Sequence, residues 1–228
     1  MTPQIFYDVV EATWPPASAK RCGPWMIRDG QGGGKRVEAT TSEAAFSSAD
    51  LEQCTSDLFM VRMGEDDLDA ALAARGFTVI DPTVGYAIDV AELTQEPVPH
   101  VSAFALWPPL AIQRDIWANG GIGPARIAVM ERVETAKTSI LARHKDQPAG
   151  SAFVAIHENV AMIHAIEVVP AMRRQGIGAN ILRCAAHWAQ DQGADTLSLL
   201  VTRANAPANA LYTSQKFKVV GHYHYRIK

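Results

Sequence analysis

Three cysteines in 228 residues, Cys22, Cys54 and Cys184, are odd in number and far apart. They supply neither a disulfide framework nor a Cys-x-x-Cys pair for metal or redox work. No apolar run reaches the length of a membrane span, and Met1-Thr2-Pro3-Gln4 lacks a basic segment followed by an apolar one. Lys and Arg never cluster into a run with interleaved aromatics, so nucleic acid is not an expected partner. His222 and His224 would share one strand face but have no third ligand at useful spacing, so no metal is expected either. These absences point to a cytoplasmic protein acting without membrane, metal or nucleic acid.

The hydrophobic fraction of 48% and charged fraction of 20% are those of an ordinary globular protein. Charge is unevenly spread. Residues 1–97 hold seven Lys and Arg against sixteen Asp and Glu, whereas residues 98–228 hold fourteen against eight. A basic second half suits a polyanionic ligand. The acidic half is read as a solvated surface, with a faint preference for a cationic acceptor.

The most informative stretch runs from Ile166 to Ala179. Ala161 to Val169 is an apolar, Ile- and Val-rich run, as in a buried strand. Pro170 ends it, a basic loop with Gly176 and Gly178 follows, and Ile177, Ile181, Ala185, Trp188 and Ala189 then recur at helical spacing. A glycine loop feeding a helix N-terminus is a natural anion cradle, because first-turn N–H groups lack intrahelical partners. The loop fails the dinucleotide pattern, since Ile181 stands where the third glycine belongs. It also fails the P-loop pattern, since no Gly-Lys-Ser/Thr occurs. A plain strand–turn–helix connection and a nucleotide-binding module remain as rival readings of the loop alone.

Along the chain the pattern predicts a helix over 4–13, strands over 25–28 and 36–40 joined by a flexible glycine-rich turn (29–35), a helix over 42–54 and a strand over 57–62. A helix over 65–75 closed by Gly76 follows, then strands over 77–80 and 84–90. The proline-bearing stretch 92–99 reads as a boundary. Beyond it the order is strand 101–107, helices 109–118 and 125–133, strands 138–144, 151–157 and 161–169, the helix from Ile177, strand 196–202, helix 207–215 and strands 217–220 and 222–226.

Val168-Val169-Pro170 followed by Arg173-Arg174-Gln175-Gly176-Ile177-Gly178 resembles the acetyl-CoA loop of the GCN5-related N-acetyltransferases (GNAT), and the element order from about residue 100 is similar to theirs. A second family pattern, Asn then Ala three, Tyr seven and Phe twelve residues on, is matched by Asn205, Ala208, Tyr212 and Phe217; the glycine before the Phe is Lys216 here. The resemblance implies an α/β (α+β) fold with a mixed, mostly antiparallel twisted sheet flanked by helices. It implies acetyl-CoA as cosubstrate, with the amides of Arg173, Arg174, Gln175, Gly176, Ile177, Gly178 and Ala179 around its pyrophosphate. Pantetheine would lie between strands splayed after Val169 and at Thr202, paired near Val168 and Val169. Asn205 would hold the pantetheine amide or simply cap the next helix.

A gapless shift of 140 residues lays Val61 on Val201, Ala70 on Ala210, Phe77 on Phe217 and Val79 on Val219. Residues 1–97 are therefore expected to be a degenerate GNAT-like unit, stripped of ligand residues, ahead of a catalytic unit at 98–228.

The implied reaction is direct attack of a bound amine on the thioester. Tyr212 is the candidate general acid towards the CoA thiolate, since a phenol of pKa about 10 stays protonated at neutral pH; packing is its other reading. Glu167 is a candidate general base, or a partner for a substrate ammonium or an arginine. His164, three residues earlier, should face the opposite side and read as a core histidine. The acceptor amine is not legible, monomer and homodimer are both compatible, and the alternative on the same fold is a non-catalytic acyl-CoA sensor or assembly subunit.

Overall fold

The computed structural model describes residues 1–228. The N-terminal half comprises α1 (Pro3–Thr13), β1 (Ser18–Cys22), β2 (Trp25–Asp29), α2 (Lys35–Glu38), β3 (Thr41–Ser42), α3 (Ser48–Gln53), β4 (Leu58–Arg62), α4 (Asp66–Ala74), β5 (Thr78–Asp89) and α5 (Val90–Leu93). The C-terminal half comprises β6 (Ala103–Leu106), α6 (Ala111–Asn119), α7 (Pro124–Arg132), β7 (Lys137–His144), β8 (Gln147–His157), β9 (Val160–Val168), α8 (Ile177–Asp191), β10 (Thr196–Thr202), α9 (Ala206–Ser214) and β11 (Lys218–Ile227). One eight-stranded sheet runs β4-β11-β5-β10-β9-β8-β7-β6, with β1-β2-β3 as a small second sheet. Every neighbouring pair in the large sheet is antiparallel except β9–β10.

The repeat of 140 residues is structural. α4 and α9 superpose in numbering, and both end in a Schellman cap: Phe77 N–H on Leu72 O with Gly76 N–H on Ala73 O, and Phe217 N–H on Tyr212 O with Lys216 N–H on Thr213 O. The cap requires a left-handed residue, supplied by Gly76 at φ 83° in one copy and by Lys216 at φ 64° in the other. Each β-α-β unit hands its last strand to its twin. β5 pairs with β10, and β11 with β4, so Arg62↔Tyr223 becomes Thr202↔Thr83 under the shift. β5 and β11 pair with each other at the crossover. Phe6 of α1 is fully buried over this seam, where a Cβ on Gly85 would run into its ring and one on Gly221 would lie 2.8 Å from it.

Several local expectations differ. Of residues 36–40, Arg36–Glu38 lie in the single turn α2 instead of a strand and Thr40 makes one isolated bridge to Phe59, and the hairpin partner of β2 is the exposed β1. The glycine-rich loop is a packed element: a Cβ on Gly33 would meet Val129 Cγ2 of α7 at 2.6 Å. The helix expected over 42–54 spans only Ser48–Gln53, begun by a Ser47/Asp50 capping box. The divided strands at 77–90 and 217–226 are continuous as β5 and β11, because each crosses two neighbours in the exchanged sheet.

Helices cover both faces. α8 carries Ile177, Ile181, Leu182, Ala185 and Ala189 into the main core with Ile163, Leu199, Tyr212 and Phe217. On the other face α1, α6 and α7 bury Trp14, Trp117 and Met130 against Phe153.

Candidate functional site

β9 and β10 run parallel and in register only from Val160↔Thr196 to Ile163↔Leu199. Beyond that pair β9 turns away, and the cause is local. Ser151 pairs with Glu167 but Phe153 with His164, so Ala152 faces two residues, Ala165 and Ile166, in a bulge. Ala165 sits at φ 51°, and its carbonyl accepts the Trp117 indole N–H at 2.8 Å. The bulge cancels one step of side-chain alternation. His164 and Glu167 consequently share the α1/α6 face, contrary to the expectation from odd spacing: His164 meets Thr13 and Arg36, and Glu167 packs on Gly120 at the end of α6. Ile166 and Val168 turn to the α8 side.

At the strand end, Val169 N–H is donated to Ala149 O at 2.9 Å. By antiparallel alternation, Val168 then directs its N–H and C=O into the gap, where the carbonyl accepts Arg173 Nε at 3.1 Å. A single turn of 3-10 helix (Pro170–Met172) leads into the loop. Arg174 at φ 64° and Gly176 at φ 80° set its path, and the N–H groups of Arg174, Gln175, Gly176, Ile177, Gly178 and Ala179 have no acceptor in the protein. Six consecutive free amides at the positive end of a four-turn helix form an anion cradle. Gly178 also serves packing, since a Cβ there would lie 2.9 Å from Leu211 Cδ2 of α9.

Arg173, expected at the anion, instead reaches back: its NH2 group donates to Glu167 Oε1 at 3.1 Å. Glu167, its side chain 18% exposed, therefore has an arginine as its partner in this structure. Asn205 is the N-cap of α9, its Oδ1 accepting Ala208 N–H at 3.2 Å. Tyr212 is buried on the α8 face between Tyr86 and Phe217, with ring centroids at 5.8 Å from each. Burial pushes its phenol up to about 12, so it is a proton donor throughout the neutral range.

A cavity of about 410 Å³ opens on the opposite face at the split, floored by His164, Ala165 and Leu200 to Thr202. Its far wall was not legible in the sequence, because it comes from the N-terminal half: Trp14, Lys35, Arg36, Glu38, Asp81 and Thr83. His164 is locked. Arg36 can only donate, so Nδ1 accepts from it at 3.1 Å, and Nε2–H donates to Thr13 Oγ1 at 2.9 Å. Thr13 in turn donates to Val9 O. Burial, and then the Arg36 charge, hold the imidazole well below its ordinary 6.5, so it is neutral and has no free lone pair to act as a base.

A sheet split at its one parallel pair, with a free-amide loop on one side and a cavity on the other, is the framework of an acyltransferase fold of the GNAT kind. Residues 107–217 match the sequence model of the Acetyltransferase (GNAT) family, which places that segment of the chain in the GNAT superfamily. Over 95% of both chains it is 24% identical to the protein named Uncharacterized N-acetyltransferase YobR of Bacillus subtilis (strain 168). Its fold is similar to that of a GCN5-related N-acetyltransferase from Kribbella flavida, with TM-score 0.75 and 14% identity over 100% of this chain and 95% of that one. It is also similar to a tandem GNAT protein from the clavulanic acid biosynthesis pathway, with TM-score 0.60 and 12% identity over 96% and 86%. No helix is long and apolar enough to cross a membrane, and no cluster of three or more His, Cys, Asp or Glu is placed to hold a metal.

Proposed function

We propose that the protein transfers an acetyl group from acetyl-CoA to a primary amine by direct attack. The observation that carries this reading is the run of six unpaired amides from Arg174 to Ala179 directly beside the β9–β10 split. The amides take the pyrophosphate, and the pantetheine arm follows the gap, where Val168 offers the strand-end N–H and C=O. The acceptor enters from the cavity on the opposite face, so residues 98–228 act as the catalytic unit and residues 1–97 as the unit that walls the acceptor site.

In the reaction the amine nitrogen bonds to the thioester carbonyl carbon, the C–S bond breaks, and the amine gives up a proton. Tyr212 protonates the departing thiolate, for which a phenol held neutral by burial is suited. Glu167, on the acceptor face, takes the amine proton directly or through water once Arg173 is drawn to the cofactor phosphates; its present contact with Arg173 keeps it positioned. The decisive experiment combines thermal shift with acetyl-CoA, ATP and NAD and an assay of free-thiol release over a panel of amines. Stabilisation by acetyl-CoA alone, with amine-dependent thiol release, is expected. Binding without thiol release across the panel would replace this reading by an acyl-CoA sensor, and stabilisation by ATP or NAD instead would refute both.

A further inference from the structure

The cavity has a charge that its own residues do not balance. Lys35, Arg36 and Arg126 line it against only Glu38 and Asp81. Lys35 is paired to Asp81 at 2.9 Å, and Glu38 accepts the Gly32 N–H at 3.0 Å. Neither Arg36 nor Arg126 pairs with a carboxylate. Arg36 is the stronger anomaly. Its guanidinium lies between the Trp14 ring, 5.8 Å from the centroid, and His164, beside the hydroxyls of Tyr223 and Tyr225 that also line the cavity, and its Nε is out of solvent with no hydrogen-bond partner. An arginine cannot shed its proton to escape this, and an uncompensated charge with an orphaned donor is costly to keep. His164 and the two tyrosine hydroxyls offer acceptors that orient the fork, and none of them is a carboxylate.

We propose that this site binds the carboxylate of the acceptor, so that the substrate is a small amine that also carries a carboxylate, as an amino acid does. Arg36 presents a fixed fork to the carboxylate, the geometry in which charge-assisted pairs are strongest. Arg126, exposed at the cavity mouth beside Gly34, adds a second positive charge. The floor of the cavity at Ala165 and Leu200 is the edge of the split itself, so a carboxylate held at Arg36 leaves the amine end directed to the gap. About 410 Å³ suits a small molecule. This rests on the acyl-transfer reading for the amine, and it adds a carboxylate to the cationic acceptor faintly favoured by the acidic composition of residues 1–97.

The test uses matched probes on the full chain: phenylalanine against phenylalaninamide, and 4-aminobutyrate against its amide, each in thiol-release and thermal-shift assays. The free acid should be preferred by about tenfold or more in kcat/KM. Arg36→Gln, which keeps a donor for His164, should erase the preference, Arg36→Lys should restore part of it, and Arg126→Gln should reduce it without affecting folding. The acid alone should raise the melting temperature of the wild type and not that of Arg36→Gln, a readout that needs no turnover. Equal use of acid and amide, or a preference unchanged in both Arg36→Gln and Arg126→Gln, overturns the inference while leaving acetyl transfer intact. Absence of thiol release with every amine, alongside a stabilising carboxylate, would sink the acetyl-transfer reading instead and leave the carboxylate site standing.

Discussion

Replacing Tyr212 by Phe separates its two readings, because the structure assigns different consequences to each. The hydroxyl has no partner in the protein, and burial alone raises the phenol from 10 to about 12. At neutral pH, where the phenol is protonated in both folded and unfolded chains, removing the hydroxyl should change stability by less than about 1 kcal/mol. Between pH 10 and 12 the unfolded chain releases this proton and the folded chain retains it, so wild-type stability should fall as pH rises. Two pKa units correspond to about 2.7 kcal/mol, reached near pH 12. Urea unfolding of wild type and variant from pH 7 to 12 should thus show a near-constant difference up to about pH 9 and then a relative gain for the variant. Turnover behaves differently. Loss of a general acid should lower kcat by about 10²–10⁴ with acetyl-CoA affinity unchanged, and no alkaline limb from this group should appear below about pH 11. Wild-type turnover in the Phe variant would refute the acid role and leave Tyr212 as packing. Parallel stability curves across the alkaline range would refute the burial argument.

His164 is held neutral, so its contribution to stability is present above pH 6.5 and is lost on acidification, when the unfolded chain gains the proton first. His164→Gln should flatten the acid limb of the unfolding curve below pH 6.5, and identical acid transitions would contradict the buried neutral assignment. Glu167→Gln removes a partner of the largely exposed Arg173, so stability should change by less than about 1 kcal/mol while turnover drops about 10²-fold or more; a fall in melting temperature with full turnover would make it structural only. Lys216→Gly should stabilise the chain by up to about 1 kcal/mol and Gly76→Ala should destabilise it by a similar amount, both in chemical unfolding, since each position needs the left-handed cap. Opposite signs would contradict the paired-cap description.

Sequence alone determined what depends on neighbours along the chain. The loop from Val168 to Ala179, with its proline, arginines and glycines at fixed offsets, specified a strand, a turn with unpaired amides and a helix, because those features rest on local backbone conformation. The gapless repeat was likewise visible, in the matches of Val61, Ala70, Phe77 and Val79 to Val201, Ala210, Phe217 and Val219. Tertiary structure decided everything that depends on which strand lies beside which. Exchange of β5 and β11 turned two half-units into one sheet, because each terminal strand finds a complete hydrogen-bonding partner in the twin. The bulge at Ala165 brought His164 and Glu167 to one face, reversing a parity argument that holds only for regular strands. Arg36 reads in sequence as an ordinary residue of a short strand. Only packing of the glycine loop against α7 carries it under Trp14 and next to His164, 128 residues away, where a solvated surface charge becomes an unneutralised one. A buried charge is defined by what surrounds it, and those surroundings come from distant parts of the chain.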